Sequence, residues 1–240
     1  MGENAQAEIS RVRIILFGVG GVGSWCAEAL VRSGVRHLTI VDFDTVSESN
    51  VNRQLMATPT TVGEVKVEVL RRRLLEISPE AQIIACNEHY SAQTAENFAL
   101  AGYDYIIDAI DSLKDKADLI KRGMAAPGVF FSSLGAALKI DPTRIKVGNF
   151  WKVRDCPLGA ALRKKLRREG GVQEHSFLCV YGDEVLPNLG VAAVGEDALG
   201  AEALSAGKAT INGTMAHITG IFGFTLAGLV LKDIYNKANG

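Results

Sequence analysis

The stretch RVRIILFGVGGVGSWCAEALVRS, residues 11–33, decides the fold. It begins with a short apolar run rich in β-branched residues and ends in a helical pattern from Trp25 to Ser33, which predicts a strand, a turn and a helix. The turn contains four glycines: Gly18, Gly20, Gly21 and Gly23. Glycine lets a backbone approach a phosphate closely, and a helix N-terminus offers free amide groups and a favourable dipole. The pattern therefore predicts a nucleotide site, although glycines also serve purely structural turns.

An acidic residue follows the second predicted strand. This strand runs from His37 to Val41 and ends at Asp42. The position is about 20 residues beyond the last glycine, where nucleotide-binding α/β folds usually place the acid that hydrogen-bonds the ribose hydroxyls. Asp42 is therefore the candidate ribose ligand. The same acid would suit NAD, so it does not choose between ATP and a dinucleotide.

Polar and cationic residues come directly after Asp42, in the segments IVDFD, SNVNRQ and TVGEVKVE. Attack on a phosphate builds negative charge that Arg, Lys and a metal ion can stabilise, whereas hydride transfer needs little charge compensation. The segments therefore favour ATP chemistry over an NAD-dependent oxidoreductase or a binding module without ATP chemistry. No GxxxxGKS or GxxxxGKT sequence occurs, which excludes a phosphate-loop NTPase. The candidate ATP-binding residues added here are Asp44, Asn50, Arg53, Gln54 and Lys66.

Two acids mark the end of another predicted strand. The apolar segment YDYIIDAIDS, residues 103–112, carries Asp108 and Asp111 at its carboxyl end, where open α/β sheets bind their ligands. One carboxylate, completed by substrate phosphate and water, suits Mg²⁺, and Asp111 is the candidate ligand. The alternative is that the acids cap the helix that begins near Ser112. For Asp108 the sequence leaves both interpretations open.

The whole chain alternates predicted strands and helices. Strands are predicted near 12–17, 37–42, 82–86, 104–110 and 129–132, and helices near 22–33, 63–77, 93–100 and 113–125. This alternation predicts an α/β fold: a Rossmann-like, largely parallel sheet with helices on both faces. The segment IDPTRIKVGNFWKV, from Ile140, predicts a late strand or a hairpin at the sheet edge.

The length of 240 residues, 48% of them hydrophobic, suits one domain. Within it we expect a nucleotide-binding core over residues 11–148. Residues 149–240 are expected to add a basic segment, a mobile loop and a C-terminal helix. The loop is predicted over residues 172–208, where glycine is frequent and apolar periodicity is weak. We expect it either to cover the active site or to become ordered when tRNA binds.

These motifs resemble the ThiF/MoeB/HesA group, which is related to ubiquitin-activating enzymes and adenylates a carboxylate. The segments that carry the resemblance are GVGGVGSWCAEAL at 18–30, NRQ at 52–54, YDYIIDAIDS at 103–112, IDPTRIKV at 140–147, and the pair Pro157 and Leu158. Within the group the chain is most similar to the tRNA threonylcarbamoyladenosine dehydratases. The resemblance implies that Asp42 holds the ribose and that Asn50, Arg53 and Lys66 contact the phosphates. It also implies that Asp111 is linked to Mg²⁺, with Arg53, Lys66 and Asp111 acting in catalysis.

The resemblance further implies a chemistry and a set of partners. The carboxylate of a threonylcarbamoyl group attacks the α-phosphate of ATP, pyrophosphate leaves, and a nitrogen of the same modified base then displaces AMP and closes a ring. Because both reacting groups belong to one molecule, no covalent enzyme intermediate is required. The implied partners are ATP, Mg²⁺, tRNA, a second copy in a homodimer, and a sulfur-relay protein. The alternative is an adenylyltransferase for a ubiquitin-like sulfur carrier.

A tRNA substrate calls for a surface that binds phosphates. The net charge is only −1, so such a surface must be local. The segment LRKKLRREGG, from Leu162, supplies five cations: Arg163, Lys164, Lys165, Arg167 and Arg168. Contacts of this kind give salt-dependent, largely sequence-independent affinity for nucleic acid, which makes the segment the candidate tRNA surface. The alternative is a solvated helix face, which is how we interpret the second basic run, Arg71 to Arg73.

The four cysteines, Cys26, Cys86, Cys156 and Cys179, include no pair closer than twenty residues. Many sulfur-carrier adenylyltransferases of the group hold zinc with two CxxC pairs, so no structural zinc is expected here. No sequence feature marks Cys156 or Cys179 as an activated thiol. Unpaired cysteines and the lack of a signal-peptide pattern predict a cytoplasmic location.

One apolar segment, GTMAHITGIFGFTLAGLVL at residues 213–231, is close to the ~20 apolar residues of a membrane-spanning helix. Its glycines, threonines and His217 lower its apolarity. A helix that is apolar all round also suits a buried core or a dimer interface. We expect a core or homodimer helix, with membrane association at most peripheral.

Overall fold

The structure, a computed structural model, describes residues 2–170, 176–189 and 212–240. Its strands are β1 Arg13–Phe17, β2 His37–Val41, β3 Gln82–Cys86, β4 Tyr105–Asp108, β5 Val129–Ser133, β6 Ile145–Asn149 and β7 Leu178–Gly182. Its α-helices are α1 Glu3–Arg11, α2 Gly23–Arg32, α3 Lys66–Ile77, α4 Leu113–Ala125, α5 Pro157–Glu169 and α6 Ala216–Asn239.

Seven strands of the described residues form one sheet in the order β3-β2-β1-β4-β5-β7-β6. Neighbouring strands are parallel except β6 and β7, which are antiparallel. This confirms the predicted α/β fold, and the late strand predicted from Ile140 is β6 at the sheet edge. The strand order reverses between β1 and β4. Loops that follow these two strands therefore face each other across a crevice at the carboxyl edge of the sheet.

Apolar side chains of the central strand form a core on each face of the sheet. Along β1, Ile14 and Leu16 belong to the cluster with α2, α3 and α6, whereas Ile15 and Phe17 belong to the cluster with α4 and α5. All four side chains are fully buried. Successive side chains of a strand point to opposite faces, so a strand covered on both faces is a continuous apolar run. This explains why the sequence of β1 shows no polar alternation.

Helix α6 is the apolar C-terminal segment. It is long and apolar enough to cross a membrane by length and composition, yet 50% of its most apolar window is buried within the protein. Ile218, Phe222 and Leu226 are fully buried in the core that α6 shares with α2. The two helices pack closely at Gly223, where a Cβ would lie 2.5 Å from the Val22 carbonyl oxygen. The expectation of a core helix is confirmed.

The helix predicted near residues 93–100 was wrong. The chain instead forms two 3-10 turns, Ala95–Phe98 and Leu100–Gly102. Between them Ala99 has a φ of 42°, which lies in the left-handed region and cannot continue a right-handed helix.

The loop predicted over residues 172–208 was wrong in one part. Strand β7 lies within this range and pairs with both β5 and β6. Residues 172–175 and 190–208 lie outside the described residues, so the mobility expected there stays a prediction.

Candidate functional site

The crevice between β1 and β4 holds a cavity of about 780 Å³. The loops after β1, β2, β4 and β5 line it, together with the beginnings of α5 and α6. Most of the predicted ATP-binding residues come together on its wall: Gly18, Gly20, Gly21, Asp42, Asp44, Asn50, Arg53, Gln54, Lys66 and Asp111. Two predicted residues do not line it, because Gly23 begins α2 and Asp108 is fully buried.

The glycine turn between β1 and α2 forms one wall. Gly18 has a φ of 82°, and a Cβ there would lie 2.7 Å from the Ala109 carbonyl oxygen, so only glycine fits. Val22 is the N-cap residue of α2, and its side chain provides no capping hydrogen bond. The N–H groups of Gly20 and Gly21 form no hydrogen bond within the described residues. The turn therefore presents free backbone donors and the positive end of a helix, an arrangement that favours an anion such as phosphate.

Asp42 lies directly after β2 on the cavity wall. Its Oδ2 accepts the N–H of Val19 at 2.8 Å, and its Oδ1 accepts the N–H of Asp44 at 3.0 Å. Burial raises the pKa of this carboxyl, against the lowering effect of the two backbone donors and of Lys66. The carboxylate is thus fixed in orientation, and its remaining lone pairs can accept hydroxyl groups of a bound molecule.

Lys66 begins helix α3 and is 5% exposed. Its Nζ donates to Asp44 Oδ2 at 2.7 Å. An ammonium group has three donors, so Lys66 can hold Asp44 and still donate to a bound anion. The ion pair also compensates the charge of Lys66 when the cavity is empty, which lowers the cost of burying it.

Arg53 lies in the turn between β2 and α3 and is half-buried. Its Nη1 donates to the Ser49 carbonyl at 2.7 Å and to Asn52 Oδ1 at 3.0 Å. Its own carbonyl accepts the Trp25 indole N–H at 3.1 Å, which fixes the turn against α2. No carboxylate in the described part of the chain pairs with the guanidinium, so its charge is uncompensated at the cavity wall.

The side-chain amide of Asn50 stabilises a turn, whereas the amide oxygen of Gln54 has no hydrogen-bond partner among the described residues. Asn50 Oδ1 accepts the Ser47 N–H at 3.1 Å as part of a capping box around a 3-10 turn. Gln54 is 6% exposed, and its Oε1 has no hydrogen-bond partner among the described residues. A buried amide oxygen without a partner is uncommon. Because Gln54 lines the cavity, this oxygen is available to a bound molecule.

The two acids at the end of β4 have different environments. Asp111 is exposed on the cavity wall, and its side chain forms no hydrogen bond with the described residues. Asp108 is fully buried, and its Oδ2 lies 2.8 Å from Lys116 Nζ and 2.7 Å from Ser132 Oγ. Neither acid caps α4, because the Ser112 side chain does so.

Sequence reasoning missed part of the cavity wall. Thr214 comes from the segment that leads into α6, Thr219 lies in the first turn of α6, and Lys139 comes from the loop after β5. Thr214 Oγ donates to the Ala136 carbonyl at 3.0 Å, and Asn52 Nδ2 donates to the Thr214 carbonyl at 3.1 Å. The segment therefore ties two walls of the cavity together. No local motif marks it, since only the topology brings it to the site.

Three of the four cysteines are buried. Burial raises the pKa of the Cys179 thiol to about 12 and also raises the pKa of Cys26. These two thiols are therefore protonated at neutral pH. Cys156 lines the cavity at the start of α5. Over residues 2–170, 176–189 and 212–240, no group of three or more His, Cys, Asp or Glu side chains is placed to hold a metal ion.

Helix α5 begins at the cavity and carries the basic segment away from it. Arg163 lies over the Phe150 ring, 5.8 Å from its centroid, and donates to the Phe150 carbonyl at 3.2 Å. Arg167 lies 5.7 Å from the centroid of the Trp151 ring. Aromatic rings therefore orient these two cations in the middle and the last turn of α5.

The other basic residues of α5 differ in their pairing. Lys165 pairs with Glu169 at 2.6 Å. Lys164 and Arg168 are exposed and pair with no carboxylate that the structure describes. The second basic run, residues 71–73 on α3, pairs with acids throughout, as expected of a helix face.

The sequence and the fold were compared with known proteins. The family model described as the ThiF family matches residues 1–239. The chain is 40% identical over 187 residues to the tRNA threonylcarbamoyladenosine dehydratase of Bacillus subtilis (strain 168), covering 77% of this chain and 72% of that protein. It is 34% identical over 246 residues to the Escherichia coli (strain K12) protein of the same name, covering 99% of this chain and 91% of that one.

Similarity extends to three dimensions. The crystal structure of the E. coli tRNA N6-threonylcarbamoyladenosine dehydratase TcdA in complex with ATP matches this fold with a TM-score of 0.85 and 32% sequence identity. The match covers 100% of this chain and 93% of that one. The family model, the E. coli relative and the solved structure each match nearly the whole chain, and the chain belongs to the ThiF family.

Proposed function

We propose that this chain dehydrates threonylcarbamoyladenosine in tRNA, using ATP to adenylate the carboxylate before ring closure. The observation that carries the proposal is the single cavity in which the glycine turn, Asp42, Arg53, Lys66 and Asp111 converge. Two relatives named for this activity support it, one of them over 99% of this chain. A similar structure with ATP bound supports the nucleotide.

ATP binds with its phosphates at the glycine turn and its ribose at Asp42. Free N–H groups at Gly20 and Gly21 suit the phosphate oxygens. The oriented carboxylate of Asp42 accepts the ribose hydroxyls. Asn50 and Gln54 line the same wall. Gln54 Oε1 has no hydrogen-bond partner in the described part of the chain, so it can accept a hydrogen bond from ATP.

The first chemical step forms a mixed anhydride. A carboxylate oxygen of the threonylcarbamoyl group attacks the α-phosphorus of ATP, and the bond to the β-phosphate oxygen breaks, so pyrophosphate leaves. Negative charge grows on the phosphate oxygens in this step. Arg53 and Lys66 stabilise that charge, because both are cations on the cavity wall and the guanidinium has no carboxylate partner in the described residues.

Asp111 is the candidate ligand for Mg²⁺. Its carboxylate faces the cavity without a hydrogen bond to the described residues, and a lone carboxylate completed by phosphate and water is the donor set that this ion accepts. When bound, Mg²⁺ neutralises charge on the phosphates of the leaving pyrophosphate. Asp108 does not belong to this donor set, because its carboxylate is buried behind the wall.

The second step closes the ring. A nitrogen of the modified base attacks the activated carbonyl carbon, the bond from that carbon to the AMP oxygen breaks, and AMP leaves. The nitrogen gives up its proton to solvent, so the net reaction removes one water from the nucleoside. Both reacting groups already belong to one molecule, which supplies proximity without a covalent enzyme intermediate.

The tRNA backbone binds along α5. The helix begins at the cavity and bears the exposed cations Lys164 and Arg168. The modified base can therefore lie in the cavity while the phosphates on either side of it contact the helix. Arg163 and Arg167 contribute through guanidinium groups held over Phe150 and Trp151.

Three further expectations belong to this proposal. The family resemblance implies a homodimer, a sulfur-relay partner protein and a cytoplasmic location. Light scattering on the purified protein measures its molar mass and so tests for the homodimer. The four free cysteines agree with a reducing compartment.

The test is a reaction with ATP, Mg²⁺ and tRNA that carries threonylcarbamoyladenosine, followed by mass spectrometry of the nucleosides. The expected result is a modified nucleoside lighter by one water, with AMP and pyrophosphate released in equal amounts. Pyrophosphate exchange that requires a carrier protein ending in Gly-Gly, with no change in the tRNA, would instead identify a sulfur-carrier adenylyltransferase.

A further inference from the structure

A fully buried ion pair lies next to the cavity but not on its wall. Lys116 on α4 and Asp108 at the end of β4 are both 0% exposed, and their charged atoms are 2.8 Å apart. Burying two charges costs free energy that their attraction often fails to recover, so such a pair is a weak argument for stability. The hydrogen bonds that this pair makes point to another role.

The pair holds both backbone polar groups of Ile110. Lys116 Nζ donates to the Ile110 carbonyl at 2.9 Å, and the Ile110 N–H donates to Asp108 Oδ1 at 3.1 Å. The preceding N–H, of Ala109, donates to the Phe17 carbonyl at 2.8 Å, which ties the same turn to β1. The backbone between β4 and α4 is therefore fixed from two sides.

Asp111 is the next residue after Ile110. Its side chain faces the cavity and has no hydrogen bond to the described residues, so its backbone sets its position. Ser112 follows and forms the N-cap of α4. Asp111 is thus held between a helix cap on one side and the Lys116 bond to Ile110 on the other.

We propose that Lys116 is a positioning residue that places Asp111 for the metal–nucleotide complex by holding the Ile110 carbonyl. The inference rests on the proposed function. Without the ammonium, the Ile110 carbonyl loses its donor and Asp108 becomes an unpaired buried charge, so the turn rearranges and Asp111 moves with it. Mg²⁺ requires ligand oxygens at about 2.0–2.1 Å in near-octahedral geometry, which makes the site sensitive to small shifts.

The experiment compares four variants with the wild-type protein. Lys116→Met keeps a long unbranched side chain without the charge, and Asp108→Asn/Lys116→Met also removes the unpaired acid. The matched control is Ser132→Ala, which removes a bond to the same Asp108 oxygen but leaves both bonds to Ile110 in place. Asp111→Asn removes the proposed ligand itself. The readout is Mn²⁺ affinity of the protein–ATP complex, measured by electron paramagnetic resonance, beside metal-free AMP affinity from calorimetry.

Both Lys116 variants should weaken Mn²⁺ binding by about 10–100-fold, as residues that orient a metal ligand typically do. AMP affinity without metal should stay at the wild-type value, and Ser132→Ala should match the wild type in both measurements. If the folded double variant binds Mn²⁺ with wild-type affinity, the positioning role of Lys116 is wrong. The double variant alone decides the test if Lys116→Met does not fold.

Asp111→Asn separates this inference from the proposed function. If it weakens Mn²⁺ binding while both Lys116 variants bind normally, only the positioning role is wrong. If Asp111→Asn leaves Mn²⁺ affinity unchanged, the metal role of Asp111 is wrong and the positioning role fails with it. Dehydration of the tRNA by the wild-type protein, measured separately, decides the proposed function.

Discussion

Lys66 Nζ lies 2.7 Å from Asp44 Oδ2, at a place where the lysine side chain is 6% exposed and the aspartate 47%. The charged pair therefore has its cation buried in the wall and its acid open to the cavity. This arrangement holds the ammonium in place at the cavity wall, so under the proposed function it needs little reorganisation to stabilise charge on a phosphate.

Loss of either cavity cation should abolish most of the chemistry without unfolding the protein. We expect Lys66→Ala and Arg53→Ala each to lower the rate of pyrophosphate release at saturating ATP by about 10²–10³, the usual effect of removing one group that stabilises transition-state charge. Arg72→Ala is the matched control, because Arg72 lies on the same helix as Lys66 and pairs at the surface with Glu64. A fully active Arg53→Ala variant would contradict the proposed role.

ATP affinity should depend on pH through Asp42. Burial raises the pKa of this carboxyl, and only the ionised form accepts two ribose hydroxyls, so affinity should fall as the pH is lowered through that raised pKa. Asp42→Asn should bind ATP more weakly at neutral pH and should lose the acid-side decrease. Calorimetric titrations from neutral to acidic pH measure both effects, and equal affinities of variant and wild type would rule out the ribose contact.

Two neighbouring lysines on α5 should behave differently towards tRNA. Lys164→Ala should weaken tRNA binding and lower the slope of log affinity against log salt by about 1, since the exposed ammonium would lose one phosphate contact. Lys165→Ala should change the slope little, because Lys165 already pairs with Glu169. Filter-binding or anisotropy titrations at several salt concentrations provide the slopes. Identical slopes for Lys164→Ala and the wild type would indicate that the basic residues of α5 form a solvated helix face and do not bind tRNA.

Two glycines of α6 should respond in opposite directions to alanine. A Cβ at Gly223 would lie 2.5 Å from the Val22 carbonyl oxygen and 2.8 Å from the Cys26 nitrogen, so Gly223→Ala forces the helices apart and should destabilise by about 1–3 kcal/mol. A Cβ at Gly228 would meet nothing within 4 Å, so Gly228→Ala should stabilise by up to about 1 kcal/mol through helix propensity. Urea denaturation measures both. Equal stabilities would disprove the close helix contact.

Much of the site was predictable because its residues follow strands in regular order. The apolar runs of β1 and β4 are short and bounded by turn residues, and parallel strands bring their carboxyl ends to one edge. Asp42 comes directly after β2, and Asp111 lies three residues beyond the end of β4. Their convergence on one cavity therefore follows from the alternation of strands and helices alone.

Other parts depended on contacts that no local pattern contains. Lys116 lies in KDKADL, where it looks like the exposed Lys114, and only the approach of Asp108 from β4 explains its burial. Strand β7 was not predicted. It lies between β5 and β6 in the sheet although both precede it in the chain, so the sequence around β7 does not indicate which strands it pairs with.

Helix α6 packs against both α1 and α2. Its first residue, Ala216, comes 184 positions after Arg32, the last residue of α2. A ribosome that adds about 5–20 residues per second leaves these two helices without their partner for roughly 10–40 s. During that interval the surface at the start of α2, where Val22 will later contact Gly223, is exposed on the nascent chain. Helix α6 thus closes an apolar surface on α1 and α2 that was translated long before it, and until then that surface is exposed to aggregation.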